Sequence, residues 1–199
     1  MPVSDADLDA AADAVRRGGL VVYPTETVYG LGADALDEDA VESVFAAKGR
    51  SREKPLSFAF PDAESAREYV DVGEAERAFM DAFLPGPVTV VCRKRDAVPD
   101  VLTAGSDRVG VRVPDHEVAL ALLERVAPVT ATSANISGRP SPTDPGDVDD
   151  ALLDRVDVVL DAGETPGGTG STVVDVAHGE VLREGANADA VRDWLAERG

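Results

Sequence analysis

The sequence predicts an α/β domain: a twisted, mixed β-sheet flanked by helices. Three observations carry this. Short Val-rich runs alternate with helical patterns along the chain, about seven strands with six or seven helices. Hydrophobic residues make up 44% of the 199 but aromatics only 5%, so the core is built from Val, Leu and Ala, with valine prominent as in strands. No repeat, low-complexity segment or linker breaks the pattern, so residues 1–199 are expected to form a single domain.

The elements follow in order. Ser4 caps a first helix, Asp5 and Asp7 suit its positive end, Leu8, Ala11, Ala12 and Val15 share one face, and Arg16-Arg17-Gly18-Gly19 closes it. "LVVY" (20–23) is a buried strand that Pro24 ends, delivering "PTETVYGLG" into a loop. A helix over 39–47 precedes the basic segment "KGRSREKP" (48–55); "LSFAF" (56–60) is a strand, "DAESAREYV" and "EAERAFMDAFL" are helical, and "VTVVCR" is a strand after the "LPGP" turn. "VGVRVP" is a strand, "EVALALLERV" a helix, and "PVTAT" a strand entering "SANISGRPSPT". "DVDDALLDRV" is helical and "DVVLDAG" extended; "STVVDVA" and "GEVLREG" pair as a hairpin through His178-Gly179. "ADAVRDWLAER" is the last helix.

Charge and cysteine usage narrow the setting. Against 38 acidic residues stand 19 basic ones, a formal net charge of −19. The acids are spread along the chain, in "DADLDAAAD", "DALDEDAVES" and "DPGDVDDALLD", which fits a halophilic, salt-adapted protein, while a basic partner is the other reading. The single cysteine, Cys92, allows no internal disulfide and points to a reducing compartment. The N-terminus carries acids where a secretory signal needs bases, and no apolar run reaches membrane-spanning length, so a cytoplasmic protein is expected.

Three segments could carry chemistry. Lys48, Arg50, Arg52 and Lys54 alternate, so in an extended segment they share one side and suit a polyphosphate; a solvated basic loop is the alternative. "TATSANISGRPSPT" (130–143) ends a strand in Ser133, Asn135, Ser137 and Ser141, which either aim neutral donors at a ligand or stabilise an ordinary turn. "GETPGGTGS" (163–171) has the glycines of a phosphate cradle but no following Lys. Arg108 and Arg112 flank a strand, and a strand-borne Arg among apolar neighbours needs an anionic partner, from a ligand or from an internal Asp or Glu. Neither His116 nor His178 lies in a metal-ligand spacing, and no metal held by protein alone is expected.

Taken in order, "VVYPTETVYGLGADA", "AAKGRSREKPLSF", "LPGPVTVV", "VGVRVPDH", "VTATSANISGRPSPT", "STVVDV" and "VLREG" resemble the Sua5/YciO/YrdC family of threonylcarbamoyl-AMP synthases over about Leu20 to Gly185. The resemblance implies an α/β fold with a positively lined central cavity, in the single-domain form without the extra C-terminal domain of longer members. It implies an enzyme, a nucleotidyltransferase that makes L-threonylcarbamoyladenylate and pyrophosphate from L-threonine, bicarbonate or CO2 and ATP with its Mg2+. A separate tRNA threonylcarbamoyl transferase would use the product for N6-threonylcarbamoyladenosine.

By the same resemblance Lys48 and Arg50 are expected on ATP phosphates, with Lys54, Arg108, Ser133, Ser141, Ser171 and Arg183 at further ATP-contacting positions and Asn135 completing the S-x-N motif. Thr27, Arg112 and the backbone of Ala131 are expected at threonine, with Arg112 gripping the carboxylate by two hydrogen bonds. Where some members place a His after the basic motif, this chain has Ala59. The competing reading is an RNA-binding or ribosome-associated protein in which the basic segment contacts tRNA or double-stranded RNA, and the net charge of −19 opposes it.

Overall fold

The computed structural model describes residues 3–198; Met1, Pro2 and Gly199 of the predicted domain lie outside them. The elements run α1 (Asp5–Arg16), β1 (Val21–Tyr23), β2 (Gly30–Gly32), α2 (Glu38–Lys48), β3 (Ser57–Ala59), α3 (Ala63–Ala66), β4 (Val70–Asp71), α4 (Glu74–Phe83) and β5 (Val88–Lys94). They continue α5 (Asp100–Thr103), β6 (Arg108–Arg112), α6 (Glu117–Arg125), β7 (Val129–Ser133), α7 (Asp150–Leu153), β8 (Val158–Val159), β9 (Thr172–Asp175), β10 (Glu180–Arg183) and α8 (Ala188–Ala196). The predicted cap of α1 forms in full: the Asp7 backbone N donates to Ser4 Oγ at 3.3 Å, and the Ser4 backbone N donates to Asp7 Oδ2 at 2.9 Å.

The strands make one mixed sheet in the order β10-β9-β5-β6-β3-β7-β2-β1-β8. Strand β5 is seven residues long, enough for its first half to pair parallel with β9 and its second half antiparallel with β4 along the same edge. The α/β reading therefore holds, with ten strands among the described residues where the sequence predicts about seven; β2 and β4 are the two that the element-by-element reading does not name. Strand β2 falls inside the expected loop, and β4 takes the end of "DAESAREYV", whose helix stops at Ala66. Val70 is fully buried against the sheet, so packing overrides the helical pattern there.

Strand alternation divides the core in two. Val22, Leu31, Phe58, Val88, Val90, Cys92, Val109, Val111 and Val174 face one side, where α2, α4, α5, α7 and α8 cover them with residues such as Phe45, Phe79, Leu102, Leu152 and Val191. Val21, Tyr23, Ala59 and Val129 face the other side, under Leu8, Ala11 and Val15 of α1 and Leu122 and Leu123 of α6. Helices α1 and α6 cover only part of that second face. The part they leave open carries Thr89 and Val91 of β5, Arg108, Gly110 and Arg112 of β6, Ser57 of β3 and Ser171 and Asp175 at β9, and these line a cavity of about 560 Å³.

No helix among the described residues is long and apolar enough to cross a membrane.

Candidate functional site

The cavity gathers most of the residues singled out from sequence. Thr27, Arg50, Arg108 and Arg112 line it, with Ala131, Ser133, Ser141, Ser171 and Arg183; Lys48, Lys54 and Asn135 do not. A volume of about 560 Å³ is in the range of small-molecule sites.

Local folding sets the direction of each cation in the basic segment, which is not extended as the alternation requires. Lys48 is the last residue of α2, Gly49 turns left-handed at φ 58°, and residues 52–53 form a turn. The four cations diverge as a result. Lys48 is 1% exposed, and its Nζ donates to the carbonyls of Ser133 and, at 2.7 Å, Asn135. Its own carbonyl accepts the Ser137 N–H at 2.8 Å, so one residue holds the Ser133–Ser137 turn at three points. Burial, with Arg50 adding to it, pulls the Lys48 amine down to about 7.

Arg50 turns into the cavity, its Nε donating to the Lys54 carbonyl and its Nη2 to the Pro55 carbonyl, each at 3.0 Å. Arg52 points outward and is held by both carboxylate oxygens of Glu42, through Nε at 2.9 and 2.7 Å.

The S-x-N turn is built for rigidity. Ser133 Oγ donates to Asn135 Oδ1, and Asn135 Nδ2 donates to the carbonyls of Ile136 and Arg139 at 2.8 Å. Asn135 thus closes the turn and leaves Ser133 at the cavity wall. The loop 163–171 is mostly exposed but pinned where it meets the loop after β1: a Cβ on Gly167 would lie 2.7 Å from the Glu26 carbonyl, so only glycine lets the two backbones meet. Thr165 Oγ1 donates to the Thr27 carbonyl at 3.1 Å, tying this loop to the one after β1.

Two arginines of β6 carry internal carboxylate partners. Arg108 Nη2 donates to Asp175 Oδ1 at 2.8 Å and to the Val91 carbonyl at 3.1 Å, and His178 Nδ1 lies 2.9 Å from the other Asp175 oxygen. Arg112 is 8% exposed, and its Nη2 donates to Thr27 Oγ1 at 2.9 Å and Glu26 Oε1 at 3.0 Å. Glu26 and Asp175 were not singled out from sequence. The period of "STVVDV" places Asp175 on the same face as Ser171 and Val173, and that is the signal that could have found it; Glu26, in a loop without period, offers none.

Arg50 and Arg183 differ from these two. Neither has a carboxylate within ion-pair distance among the described residues; Arg183 Nη2 instead donates to the Ser171 carbonyl at 2.9 Å and Ser171 Oγ at 3.2 Å. Burial first, then the neighbouring guanidinium, lowers both: Arg183 acts on Arg50, and Arg112 acts on Arg183. Arg183 thus repels Arg50 and is repelled by Arg112 at one cavity, and of the three only Arg112 has a carboxylate partner among the described residues, an arrangement that can accept an anion. Gly110 forms the cavity floor, where a Cβ would lie 2.3 Å from Ser57 Oγ and 2.8 Å from Thr89 Cγ2. Among the described residues no three His, Cys, Asp or Glu side chains are placed to hold a metal ion.

A family model for Sua5/YciO/YrdC, described as "Telomere recombination", matches residues 13–185. The chain is 45% identical over 168 residues to the threonylcarbamoyl-AMP synthase of Pyrococcus abyssi, covering 83% of this chain and 49% of that protein. It is 36% identical over 173 residues to a putative threonylcarbamoyl-AMP synthase of Methanocaldococcus jannaschii, covering 86% and 82% respectively. The crystal structure of P. abyssi Sua5 complexed with L-threonine superposes with a TM-score of 0.92 at 40% identity, over 99% of this chain and 59% of that one. The chain thus spans about half the length of the P. abyssi protein and most of that of the M. jannaschii one. On the extent of the family match and these identities, the chain belongs to the Sua5/YciO/YrdC family.

Proposed function

We propose that this chain joins L-threonine, bicarbonate or CO2 and ATP into L-threonylcarbamoyladenylate, releasing pyrophosphate. The observation that carries the reading is the pair Arg50 and Arg183, two guanidiniums without carboxylate partners that converge on one cavity beside Arg112. The names of the relatives and the threonine complex of P. abyssi Sua5 support the choice of substrates.

In this reading the phosphates of ATP, carrying their Mg2+, lie against Arg50 and Arg183, with Ser141 and Ser171 as neutral donors, Ser133 joining them when its hydroxyl turns from Asn135 to the nucleotide, and Arg108 on the wall. Threonine takes Thr27, Arg112 and the Ala131 backbone. Its ammonium loses a proton to solvent, the neutral amine adds to CO2 with loss of a second proton to give the carbamate anion, and an oxygen of that carbamate attacks the α-phosphorus as the bond to the departing pyrophosphate breaks in line. The step needs no protein nucleophile. Cys92 could not serve as one: it is fully buried, with a thiol that burial pushes up to about 12. The work of the site is alignment of two anions and neutralisation of charge on the phosphates.

Lys48 supports this site from behind, by fixing the turn that carries Ser133, and Asn135 fixes it from within. Lys54 contributes through its carbonyl, which orients Arg50. The outward charge of Arg52 is taken up by Glu42, which favours the enzyme over an RNA-binding protein. A tRNA threonylcarbamoyl transferase in the cytoplasm would consume the product. The test is pyrophosphate release that requires L-threonine, with serine as control; release at equal rates with either amino acid, or with none, would remove the assignment.

A further inference from the structure

The Glu26–Arg112 pair carries an inference that rests on the reaction proposed above and deepens it. Arg112 Nη2 has two hydrogens and faces three acceptors: Thr27 Oγ1 at 2.9 Å, Glu26 Oε1 at 3.0 Å and Thr25 Oγ1 at 3.5 Å. That nitrogen is fully used. Arg112 Nε and Glu26 Oε2 are both buried and have no hydrogen-bond partner, so the pair holds one desolvated donor and one desolvated acceptor in reserve. The side chains are 9% and 12% exposed, so neither charge is balanced by water.

An incoming carboxylate can take two hydrogen bonds from Arg112 only through a fork that includes Nη2, where Thr25, Thr27 or Glu26 must share or give way; of the three, Glu26 alone carries a charge that opposes the carboxylate. A simple anion that displaced it would leave Glu26 as a buried charge without its counter-ion, which opposes binding. A zwitterion does not. Its carboxylate replaces Glu26 at Arg112, and its ammonium supplies the cation that Glu26 has lost. One internal ion pair becomes two intermolecular ones, and the charge of the pocket is conserved. The α-ammonium of an amino acid lies next to its carboxylate, and Glu26 Oε1 lies 3.0 Å from the arginine nitrogen that would bind that carboxylate. Glu26 does not itself line the cavity, but its neighbours Thr25 and Thr27 do, so its side chain must turn past Arg112 to meet the ammonium.

We propose that Glu26 is a specificity-determining residue that binds the α-ammonium of the amino-acid substrate and so selects zwitterions over plain carboxylates at Arg112. It serves as a placeholder on Arg112 in the free protein and as the amine's partner in the complex.

The experiment is direct binding of L-threonine and of the analogue without its amine, (R)-3-hydroxybutanoate, by calorimetry without ATP, to the native chain and to Glu26→Gln. The native chain is expected to prefer threonine by about 100-fold or more, since a site built to bond an N–H group rejects the analogue that lacks it. Glu26→Gln is expected to lose most of that preference, to about 10-fold or less, chiefly through weaker threonine binding. Equal changes in both affinities would mean that Glu26 only locks Arg112 and would overturn the proposal. If Glu26→Gln does not fold, as a melting curve will show, Glu26→Asp keeps the charge but withdraws it by one methylene. It should weaken threonine more than the analogue, and equal weakening again overturns the proposal. Absence of threonine binding to the native chain would instead remove the reaction on which the proposal rests.

Discussion

Replacing Lys48 by methionine separates two roles for this amine that predict opposite effects on the protein without nucleotide. If Lys48 waits for a phosphate, then in the free chain it is a buried cation, and an apolar replacement of similar length should stabilise the fold. The structure instead gives its Nζ two carbonyl acceptors, Ser133 and Asn135, at a residue 1% exposed. At pH 8 an amine with a pKa of about 7 is mostly neutral and still donates, so little charge-burial cost is relieved by removing it. Two lost hydrogen bonds at about 1 kcal/mol each, and two carbonyls left dry, give an expected loss of about 2–4 kcal/mol. The assay is urea unfolding of both proteins at pH 8 without ATP, followed by ATP binding.

The pH dependence follows from the same group. Its folded pKa lies below the unfolded one, so below about pH 7 both states are protonated and the fold bears the burial cost in full. Between about 7 and 10.5 the unfolded chain holds a proton that the folded chain lacks. Lys48 therefore adds stability as pH rises through this window, by up to about 1.4 kcal/mol per pH unit, and Lys48→Met should lack that slope. A variant as stable as the native chain at pH 8, or more stable, would refute the carbonyl-clamp reasoning.

Other substitutions probe the remaining parts of the site. Arg50→Ala should abolish ATP-dependent adenylate formation in a pyrophosphate assay while leaving the melting temperature unchanged or raised, because it orphans no carboxylate and the Lys54 and Pro55 carbonyls it releases belong to exposed residues that water can reach. Arg112→Ala should raise the threonine requirement far more than the ATP requirement, and should cost about 3–5 kcal/mol in urea because Glu26 loses its counter-ion. Gly110→Ala sets a methyl 2.3 Å from Ser57 Oγ and should cost about 1–3 kcal/mol with weakened ligand binding; native-like affinity would show that the cavity floor yields. Melting temperature should climb with KCl concentration if the acidic surface is a salt adaptation, and a flat curve would count against it.

How much of this could be read from sequence depended on whether the signal was local. The order of strands and helices was legible because β5, β6 and β9 carry recurring valines, β7 a β-branched Val-Thr-Ala-Thr stretch, and α1 its cap. Strand β2, "GLG", was not, since glycine has no strand preference. Its glycines are there because the Tyr23 ring lies across them: a Cβ at Gly30 or Gly32 would sit 3.0 Å from that ring, a contact between strands that no local pattern encodes. The basic segment was legible as a concentration of charge but not as four separate directions. Those were set by the end of α2, the left-handed Gly49 and a carboxylate ten residues earlier in α2. Glu26 stayed hidden because its meaning lies in Arg112, 86 residues away in sequence.

The central claim is that this cavity joins an amino acid to the adenylyl group of ATP through a carbamate. The most direct measurement is mass spectrometry of the products formed from ATP, L-threonine and 13C-bicarbonate. The account predicts an adenylate containing threonine and one 13C atom, formed in step with pyrophosphate. An adenylate of unlabelled threonine, or hydrolysis of ATP indifferent to threonine, would contradict it.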